Sequence, residues 1–589
     1  AQLEADEDLA SLRERDDFRA LVAAMRARTF EVQPTRGFRG IYAWGADGEP
    51  TDAPGPHYLT SVVLGVTSGR GNSVREVTDC LRRAASADGT RPDGVICYMV
   101  NGDVRSRTRQ WEFATALRAL TELGVRAQTV EGKLPSGLPD VAGVMAGSAT
   151  LAWDKSHSTL LPGSIAEHLT SCGGMMYDGA SQTPISHFIA EGAAGSAGTV
   201  NEPYAIQAKF PDPFLQVHYA RGCTLAEAFY QSVRGPYQLL IIGDPLCRPW
   251  ANIPQVTADG VVDGATVRGT LELTPGVAGD VTGGMTGGVE VASYELLADG
   301  RLVATVPAGQ GWRLDSTELS DGWHELRIVA VGAGLIESHG ELALGVTVAN
   351  AGRSVRLDAA AEELAWGEEL HLQARADGAS AIEVLHNART VARIEVPAGE
   401  VRVDSRELGL GPVTLQARAT WGLGAEAATA TSAPLHLLVR VPAGLPAQPL
   451  DPAAWAEGLE LTVAGAAPVT VPSTLDKDWL SKAGVQEGQA FTLTGCFVVA
   501  AEDLYQFQVR SPQPLTLSVD GGELAQLRGG EGMVVVPVAL AAGAHRVEVA
   551  TVAAASRPTI AFGGPGCLHL RAPYFNHPRR ADEPPQQTQ

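Results

Sequence analysis

The second half of the sequence contains an internal repeat. The segment LLADGRLVATVPAG, followed by LDSTEL, recurs as VLHNARTVARIEVPAG, followed by VDSREL, and the two VPAG elements begin about 90 residues apart, at Val306 and Val396. The surrounding chain alternates apolar and polar residues with a period of two, which is typical of strands joined by tight turns. Because this repeat length matches one immunoglobulin-like sandwich, we expect two tandem sandwiches, at residues 255–350 and 351–440.

A different pattern precedes Trp250. Short apolar runs alternate with amphipathic segments, which indicates a parallel sheet flanked by helices. The pattern predicts strands at residues 57–66, 93–100, 125–130, 141–146, 192–200 and 238–242, and helices at residues 74–85, 110–124, 184–191 and 224–233. We therefore expect an α/β domain at residues 57–252, with functional loops after the carboxyl ends of its strands. Residues 1–56 predict a helix followed by an irregular segment.

The chain ends in a further β-module. Residues 441–455 are rich in proline and predict a linker. Residues 456–575 contain strand-like runs such as FTLTGCFVVA, LYQFQVR and HRVEVATV, which predict a third β-domain. Residues 576–589 are charged and rich in Gln and Pro, which predicts a disordered tail. The predicted fold class is therefore multidomain, an α/β domain followed by all-β domains.

The composition excludes several classes of function. The formal net charge is −22, so phosphate backbones are repelled and no nucleic-acid partner is expected. No apolar run reaches the roughly 18 residues that span a bilayer. The seven cysteines form no CxxC pair, which argues against a zinc site and a disulfide scaffold. The glycine-rich TSGRGNS turn lacks the lysine of a phosphate-binding loop, so we expect no cofactor and no metal.

One cysteine lies in a context that suits nucleophilic chemistry. Cys172 follows a short apolar segment in Thr-Ser-Cys-Gly-Gly, where the glycines would let backbone N–H groups approach an oxyanion. A thiolate there needs an imidazole to lower the pKa of the thiol, and His157 and His168 are the nearest candidates. His187 and His218 lie further along the chain. The alternative is that Cys172 is a small buried residue at a tight turn and that these histidines are packed or solvated.

Three other loops contain candidate binding residues. Asn201, Glu202 and Tyr204 lie in TVNEPY after a predicted strand, where a ligand loop belongs; the alternative is a turn fixed by proline. Asp244 lies in the GDP turn after the strand at 238–242, where it either binds a ligand or caps the loop. A basic loop follows the strand at 93–100 and either holds a carboxylate or is solvated; it contains Arg105, Arg107 and Arg109.

Ordered landmarks in residues 57–250 resemble the gingipain-type, caspase-like cysteine peptidases, and more closely an uncharacterised bacterial family related to them. These landmarks are VAGVMAGSAT, HLTSCGG, GAAGSAGTV, GCTLAEAF and LLIIGDPLCRPW. The resemblance implies a caspase-like α/β sandwich with a Cys–His dyad at adjacent strand ends in active members. Active members carry His-Gly at the end of the strand before the cysteine. This chain has Ala146, Gly147 and Ser148 there, without a histidine.

The last module is similar to a PA14-like or carbohydrate-binding jelly roll. The similarity lies in the Tyr505-x-Phe507 strand, the following LSVDGG, and the G-x-H-x-V-E-V strand that begins at Gly543. Calcium-binding PA14 domains carry an Asp-Asp pair where this chain reads Ser-Pro-Gln at 511–513. Asp520 alone is a poor site for an ion that needs six or more oxygens.

These observations predict an exported bacterial protein of the cell envelope, periplasm or extracellular space. In the first hypothesis its gingipain-like domain has lost peptidase activity and serves a structural or interaction role. In the second it is an active cysteine endopeptidase that uses Cys172 with His157 or His168. In the third it is an adhesin that binds glycans through residues 456–575. We expect a protein or glycan partner at the cell surface, and a homo-oligomer or a separate N-terminal fragment of the same precursor that completes the sheet.

Overall fold

The computed structural model describes residues 11, 13–27, 43–44, 50–51 and 61–578, with gaps in the last range at 68, 178–179, 279–289, 395–396, 425–426, 450–454, 472–478, 500, 531, 555–557 and 564–575. The chain is multidomain and rich in β-structure: an α/β domain precedes three β-modules, each built from two sheets. Helix α1 (Asp16–Ala27) and a two-stranded ribbon (Ala43–Trp44 and Pro50–Thr51) come before the α/β domain.

A six-stranded sheet forms the centre of the α/β domain. Its strands are β1 (Val95–Val100), β2 (Arg126–Glu131), β3 (Val141–Gly147), β4 (Leu160–Leu169), β5 (Gly195–Thr199) and β6 (Leu239–Gly243). Their order in the sheet is β2–β1–β3–β4–β5–β6. The first five strands are parallel, and β6 is antiparallel to β5. The carboxyl ends of β3, β4 and β5 therefore lie side by side at one edge of the sheet.

Both faces of this sheet are buried, because helices cover both sides of a parallel sheet. In β1, Ile96 and Tyr98 pack in one apolar cluster with Phe113, whereas Cys97 and Met99 pack in a second cluster. Each β1 side chain thus follows the two-residue period of a strand, and neither face is polar. A continuous apolar run such as VICYMV is the sequence pattern that this environment requires.

The covering helices are α2 (Val74–Ala87), α3 (Val104–Arg107), α4 (Gln110–Glu122), α5 (Ser186–Ala190), α6 (Phe214–Ala220) and α7 (Leu225–Ser232), with single 3₁₀ turns at Trp153–Ser156, Gln207–Lys209 and Pro236–Gln238. Helices α2 and α7 begin with capping boxes. The Ser73 hydroxyl accepts from the Glu76 N–H, and the Glu76 carboxylate accepts from the Ser73 N–H. Thr224 and Glu227 repeat this arrangement, so both helix starts are set by local sequence.

The strand expected at residues 57–66 is not observed in its described part. Residues 61–66 form one isolated bridge, in which Val63 donates to Ile241 (3.0 Å) and accepts from Gly243 (3.0 Å) at the outer edge of β6. Val63 and Leu64 are half-exposed, because this apolar run covers the edge of the sheet instead of filling the core. The apolar pattern therefore led to a wrong strand prediction here. The expected N-terminal fragment rested on this strand and stays a prediction.

The first two β-modules follow the α/β domain. The first contains strands Val256–Asp259, Thr266–Val267, Thr270–Val277, Val291–Ala298, Arg301–Pro307, Trp312–Asp315, Asp321–Gly332 and His339–Val348. The second contains Arg356–Ala359, Glu363–Ala365, Glu369–Arg375, Ala381–His386, Arg389–Ile394, Ala398–Asp404, Gly411–Trp421, Ala428–Thr431 and Leu435–Arg440. A 3₁₀ turn occupies the same place in both repeats, Ser316–Glu318 and Ser405–Glu407.

These two modules share one continuous sheet. Asp321 and Gly322 pair in parallel with Ala430 and Thr431 of the next module. Gly322 has a φ of 103°, and a Cβ at this position would lie 2.3 Å from the Thr431 carbonyl oxygen. The Asp321 carboxylate accepts from the N–H groups of the connecting segment, including that of Ala351 at 3.0 Å. The connection between these two modules, hereafter the junction, is therefore held by backbone pairing and hydrogen bonds and is not a flexible hinge.

The segment at residues 441–455, expected as a linker, is also in contact with a folded module. In its described part, Leu445 donates to Ala539 (2.8 Å) and accepts from Ala541 (3.0 Å), so it adds to the edge of the last module. Gly444 packs so closely that a Cβ would lie 2.3 Å from the Ala541 nitrogen. The proline content predicted a linker here, and it gave no sign that part of this segment would pair with a strand.

The last module contains helix α8 (Trp479–Lys482) and strands Trp455–Glu457, Leu459–Val463, Val469–Val471, Ala490–Val499, Asp503–Arg510, Leu515–Val519, Gly522–Leu527, Val534–Leu540, Gly543–Val552, Thr559–Gly563 and Asn576–Pro578. The final strand pairs with Trp455–Glu457, so residues 576–578 belong to the sheet and not to the expected tail. Residues 579–589 lie outside the described part of the chain.

Two β-modules contain the same Asp–His clamp. His324 binds the Asp299 carboxylate through Nδ1 (2.6 Å) and the Ser320 carbonyl through Nε2 (2.8 Å). His545 binds Asp520 (2.7 Å) and a backbone carbonyl (2.8 Å) in the same way. Burial lowers the pKa of His324, but its bonds to Asp299 and to Ser320 outweigh burial, so the net shift is upward. Burial raises the pKa of Asp299, but the bond to His324 makes the net shift downward.

The junction between the first two modules can be tested with Gly322→Ala. We expect a loss of about 1–3 kcal/mol in the local stability of the paired segments, because alanine is strained at this φ and its Cβ meets backbone. Hydrogen exchange of the Ala428–Thr431 strand measures this loss. Gly300→Ala is the control, since Gly300 also has a positive φ (75°) but open space around it. Equal hydrogen exchange of this strand in the two variants would contradict the role given to Gly322 at the junction.

The clamp in the first module predicts a pH dependence. The raised pKa of His324 gives stability that is present below the unfolded value of about 6.5 and lost as pH rises through the folded value. The lowered pKa of Asp299 gives stability that is present above about 3.9 and lost as pH falls further. Asp299→Asn should therefore destabilise strand Asp321–Gly332 by about 1 kcal/mol at pH 5.5 and less at pH 8. Hydrogen exchange, corrected for intrinsic rates, measures the loss of stability at both pH values. A loss that is the same at pH 5.5 and pH 8 would contradict the role of the Asp–His clamp.

Candidate functional site

The loops that follow β3, β4 and β5 form the candidate site. Cys172 comes three residues after the end of β4, and the backbone around it is held on both sides. Gly174 donates to the Thr199 carbonyl of β5 (3.0 Å), and Gly173 accepts from Ile185 (2.9 Å). A Cβ on Gly174 would lie 2.3 Å from the Gly198 oxygen. Gly174 is thus required for close packing against β5, and its N–H is already bonded.

His157 is placed far from Cys172. It is exposed, has a φ of 52°, and follows the 3₁₀ turn that precedes β4. Cys172 follows the other end of this ten-residue strand. This strand bulges and pairs with the seven residues of β3, so it spans roughly 20 Å and the two side chains lie at opposite edges of the sheet. The structure does not bring this candidate pair together.

His168 is close to Cys172 in sequence but is packed in the core. It lies within β4, is fully buried, and makes an edge-to-face contact with Phe188 at 5.2 Å between ring centroids. Burial, together with the positive charge of Arg109, lowers the pKa of His168 to about 3. A Cβ on Gly173 would lie 2.9 Å from His168 Nε2, so the ring sits beneath the turn. The imidazole is neutral and very weakly basic.

The thiol of Cys172 is not activated by its surroundings. Burial raises its pKa, and the carboxylate of Glu202 raises it further. The guanidinium groups of Arg70 and Arg105 act in the opposite direction without reversing the shift. No imidazole is among the groups that act on this thiol in the described part of the chain. Cys172 is therefore a protonated thiol near neutral pH.

The other predicted binding residues separate into two places. Asn201, Glu202 and Tyr204 follow β5, next to Cys172, where the Glu202 carboxylate accepts from the Tyr204 N–H (2.9 Å). Tyr204 has a φ of 54° and is 73% exposed. Asp244 follows β6, which is antiparallel, so it lies at the opposite edge of the sheet. Its carboxylate accepts from the Leu246 N–H (3.0 Å), as a loop cap does.

The two remaining histidines have structural contacts. His187 accepts from the Trp153 N–H through Nε2 (3.1 Å), which leaves Nδ1 as the protonated nitrogen of the neutral ring. His218 is buried in α6, and burial lowers its pKa to about 4. Both rings are thus fixed in the domain core or at its margin.

Sequence reasoning missed the strongest electrostatic feature of the site. Arg109 is 1% exposed, and its guanidinium forms an ion pair with the fully buried Glu167 of β4. The guanidinium also donates to the carbonyls of Ala146 in β3 (2.7 Å) and Pro211 (2.9 Å). The basic loop does hold a carboxylate, but an internal one. A glutamate within the apolar strand segment SIAEHL was the signal that could have revealed it.

A cavity of about 540 Å³ opens beside this edge of the sheet. Arg70, Asn72, Glu76, Gln182 and His187 contribute the main polar groups of its lining. Asn72 is 3% exposed and donates to the Ser186 carbonyl (2.9 Å). Gln182 also contacts the backbone of Cys172, so the cavity and the cysteine loop share a wall.

The described ranges contain no group of three or more side chains arranged to hold a metal ion. None of the helices described is long and apolar enough to cross a membrane.

No protein family and no curated protein matches the chain. Among solved structures, it is similar to Clostridium thermocellum CbhA fibronectin(III)-like modules (17% identity, 32% of this chain, 95% of that one, TM-score 0.14). It is also similar to a PA14 sugar-binding domain from an RTX adhesin (22% identity, 16% and 60%, TM-score 0.13). A third is the glucan-utilization protein SGBP-B of Bacteroides ovatus (11% identity, 49% and 95%, TM-score 0.18). Overlaps this weak carry no assignment of activity.

The buried pair can be tested with Glu167→Gln. This change leaves the Arg109 charge buried without a counter-charge, so we expect a loss of about 3–5 kcal/mol in the stability of the α/β domain. The double variant Arg109→Met/Glu167→Met should lose less, because it removes both charges. Urea unfolding measures both. Arg126→Gln is the control, since Arg126 pairs with aspartates at the exposed surface, and its midpoint should hardly move. If the urea midpoint of Glu167→Gln moved as little as that of the control, the stabilising role of the ion pair would be contradicted.

Proposed function

We propose that residues 57–252 form a caspase-like, gingipain-related domain that binds other molecules without hydrolysing peptides. The strand order supports this: the ends of β3 and β4, which carry the Cys–His dyad in active relatives, are adjacent in the sheet. Cys172 follows β4, while Gly147 and Ser148 follow Ala146 at the end of β3. The domain therefore has the framework for the dyad but lacks the base.

The observation that carries this proposal is the charge environment of Cys172. A cysteine nucleophile needs its thiolate stabilised by a nearby imidazolium. Here burial and Glu202 raise the pKa of the thiol, and burial keeps His168 neutral. The alternative peptidase with His157 or His168 would require one of these rings to move: the first across the sheet, the second out of the core.

The β-modules support an interaction role. We infer two immunoglobulin-like sandwiches and a PA14-like module that extend from the α/β domain, as in exported proteins of the bacterial envelope. Their partner would be a protein or glycan at the cell surface. The paired junction at Gly322 and the docked Leu445 hold successive modules in fixed positions, which suits presentation of a binding domain.

Glycan binding by the last module is the second proposal, and its surface limits how it could work. Sugar rings stack on exposed aromatic side chains. The aromatic side chains described in this module are buried, namely Trp479, Phe491, Phe497, Tyr505, Phe507 and Phe562. A glycan site there would rely on polar groups or on residues outside the described ranges.

Thiol labelling with iodoacetamide tests the proposed loss of activity. The native protein is labelled at pH 8 and pH 6, and Cys172 is quantified by peptide mapping. We expect its rate to fall about 100-fold between the two, because the thiolate fraction falls tenfold per pH unit below the pKa. The urea-unfolded protein gives the reference rate for an ordinary thiol, and Cys172→Ser identifies the peptide. A rate that changes only a few-fold would restore the peptidase hypothesis.

A further inference from the structure

The side chain of Gln182 occupies a two-donor position beside Cys172. Its Oε1 accepts from the Cys172 N–H (3.0 Å) and from the Thr170 hydroxyl. Both donors belong to the turn that follows β4, and both point at one carbonyl oxygen. The Thr199 hydroxyl donates to the Thr170 and Ser171 carbonyls (3.0 and 2.9 Å), which holds this turn in place. The donors are thus preorganised for a single acceptor oxygen.

Gln182 reaches this position through a strained backbone. Its φ is 76°, in the left-handed region that residues other than glycine rarely adopt. The Arg70 guanidinium binds its carbonyl, and the Thr183 N–H donates to Ala149 (3.1 Å) after β3. The loop is therefore pinned on both sides of Gln182 while Gln182 itself is strained. A backbone conformation of this kind costs of order 1 kcal/mol or more and is kept here by the contacts on both sides.

A cavity next to Gln182 gives room for its side chain to move when a ligand takes its place. Gln182 forms part of the wall of the 540 Å³ cavity, which is open and lined by polar groups. A displaced carboxamide could turn into this space without disturbing the strand ends. The Gly174 N–H is already bonded to Thr199, so the Cys172 N–H and the Thr170 hydroxyl are the donors that a ligand would compete for.

We propose that the Cys172 N–H and the Thr170 hydroxyl form a binding site for a carbonyl or carboxamide oxygen, which Gln182 closes from within the chain. The ligand class is a molecule that presents such an oxygen, as a peptide does, and binding replaces the Gln182 side chain. This inference rests on the proposed function, because it names the chemistry recognised by the same strand-end site. Gln182 is an internal stand-in for the ligand and takes no part in bond breaking.

The experiment compares two reagents that alkylate Cys172 by displacement of halide. Iodoacetamide carries a carboxamide oxygen, and allyl bromide carries no oxygen. The measured quantity is the ratio of their rates at Cys172, by peptide mapping of the full chain at pH 8. In Gln182→Ala we expect this ratio to rise about tenfold over the unchanged protein, because the freed donors hold the carboxamide next to the thiol. Gln182→Met should do the same while keeping the length of the side chain.

Gln182→Glu is the matched control, since its carboxylate oxygen can accept from both donors and keep the site closed. Its ratio should stay near that of the unchanged protein, and adding Thr170→Val to Gln182→Ala should reduce the gain. If Gln182→Ala raises the rates of both reagents at Cys172 by the same factor, or raises neither rate, the inference is overturned. The proposed function is judged separately by the pH dependence of the unchanged protein, so the two can fail independently.

Discussion

The ion pair between Arg109 and Glu167 is the contact on which the candidate site depends. The guanidinium connects the carboxylate in β4 with the Ala146 carbonyl in β3 and with the Pro211 carbonyl before α6. A buried charge needs a counter-charge and hydrogen bonds, and the Arg109 guanidinium has both. The ends of β3 and β4 are therefore held in one arrangement, and the loops that carry Cys172 and Gln182 start from these fixed points.

The charges around this pair also act on the protonation of His168 and Cys172. A thiolate–imidazolium pair needs negative charge near the histidine and positive charge near the cysteine. Instead, burial and then the charge of Arg109 lower the pKa of His168, and burial and then the carboxylate of Glu202 raise the pKa of Cys172. Both groups are therefore neutral near neutral pH, and the turn after β4 directs two hydrogen-bond donors at the Gln182 side chain.

The β-modules follow a different principle, in which neighbouring units are joined by backbone pairing. Gly322 admits the strand of the next module because it has no side chain, and Leu445 adds a segment of the connecting chain to the last module. Backbone bonds of this kind restrict rotation between modules more than a proline-rich linker alone would. The position of the first β-module relative to the second is thereby constrained.

The sequence alone determined the order of the elements. Continuous apolar runs such as VICYMV, the capping boxes at Ser73 and Thr224, and the 90-residue repeat are local signals, and local signals identify strands, helix starts and modules. Tertiary structure alone decided which residues meet. It sent residues 61–66 to a sheet edge, placed His157 a strand length from Cys172, and paired Arg109 with Glu167. Such outcomes depend on strand order and burial, which bring together residues that are far apart in the chain, and no local pattern contains that information.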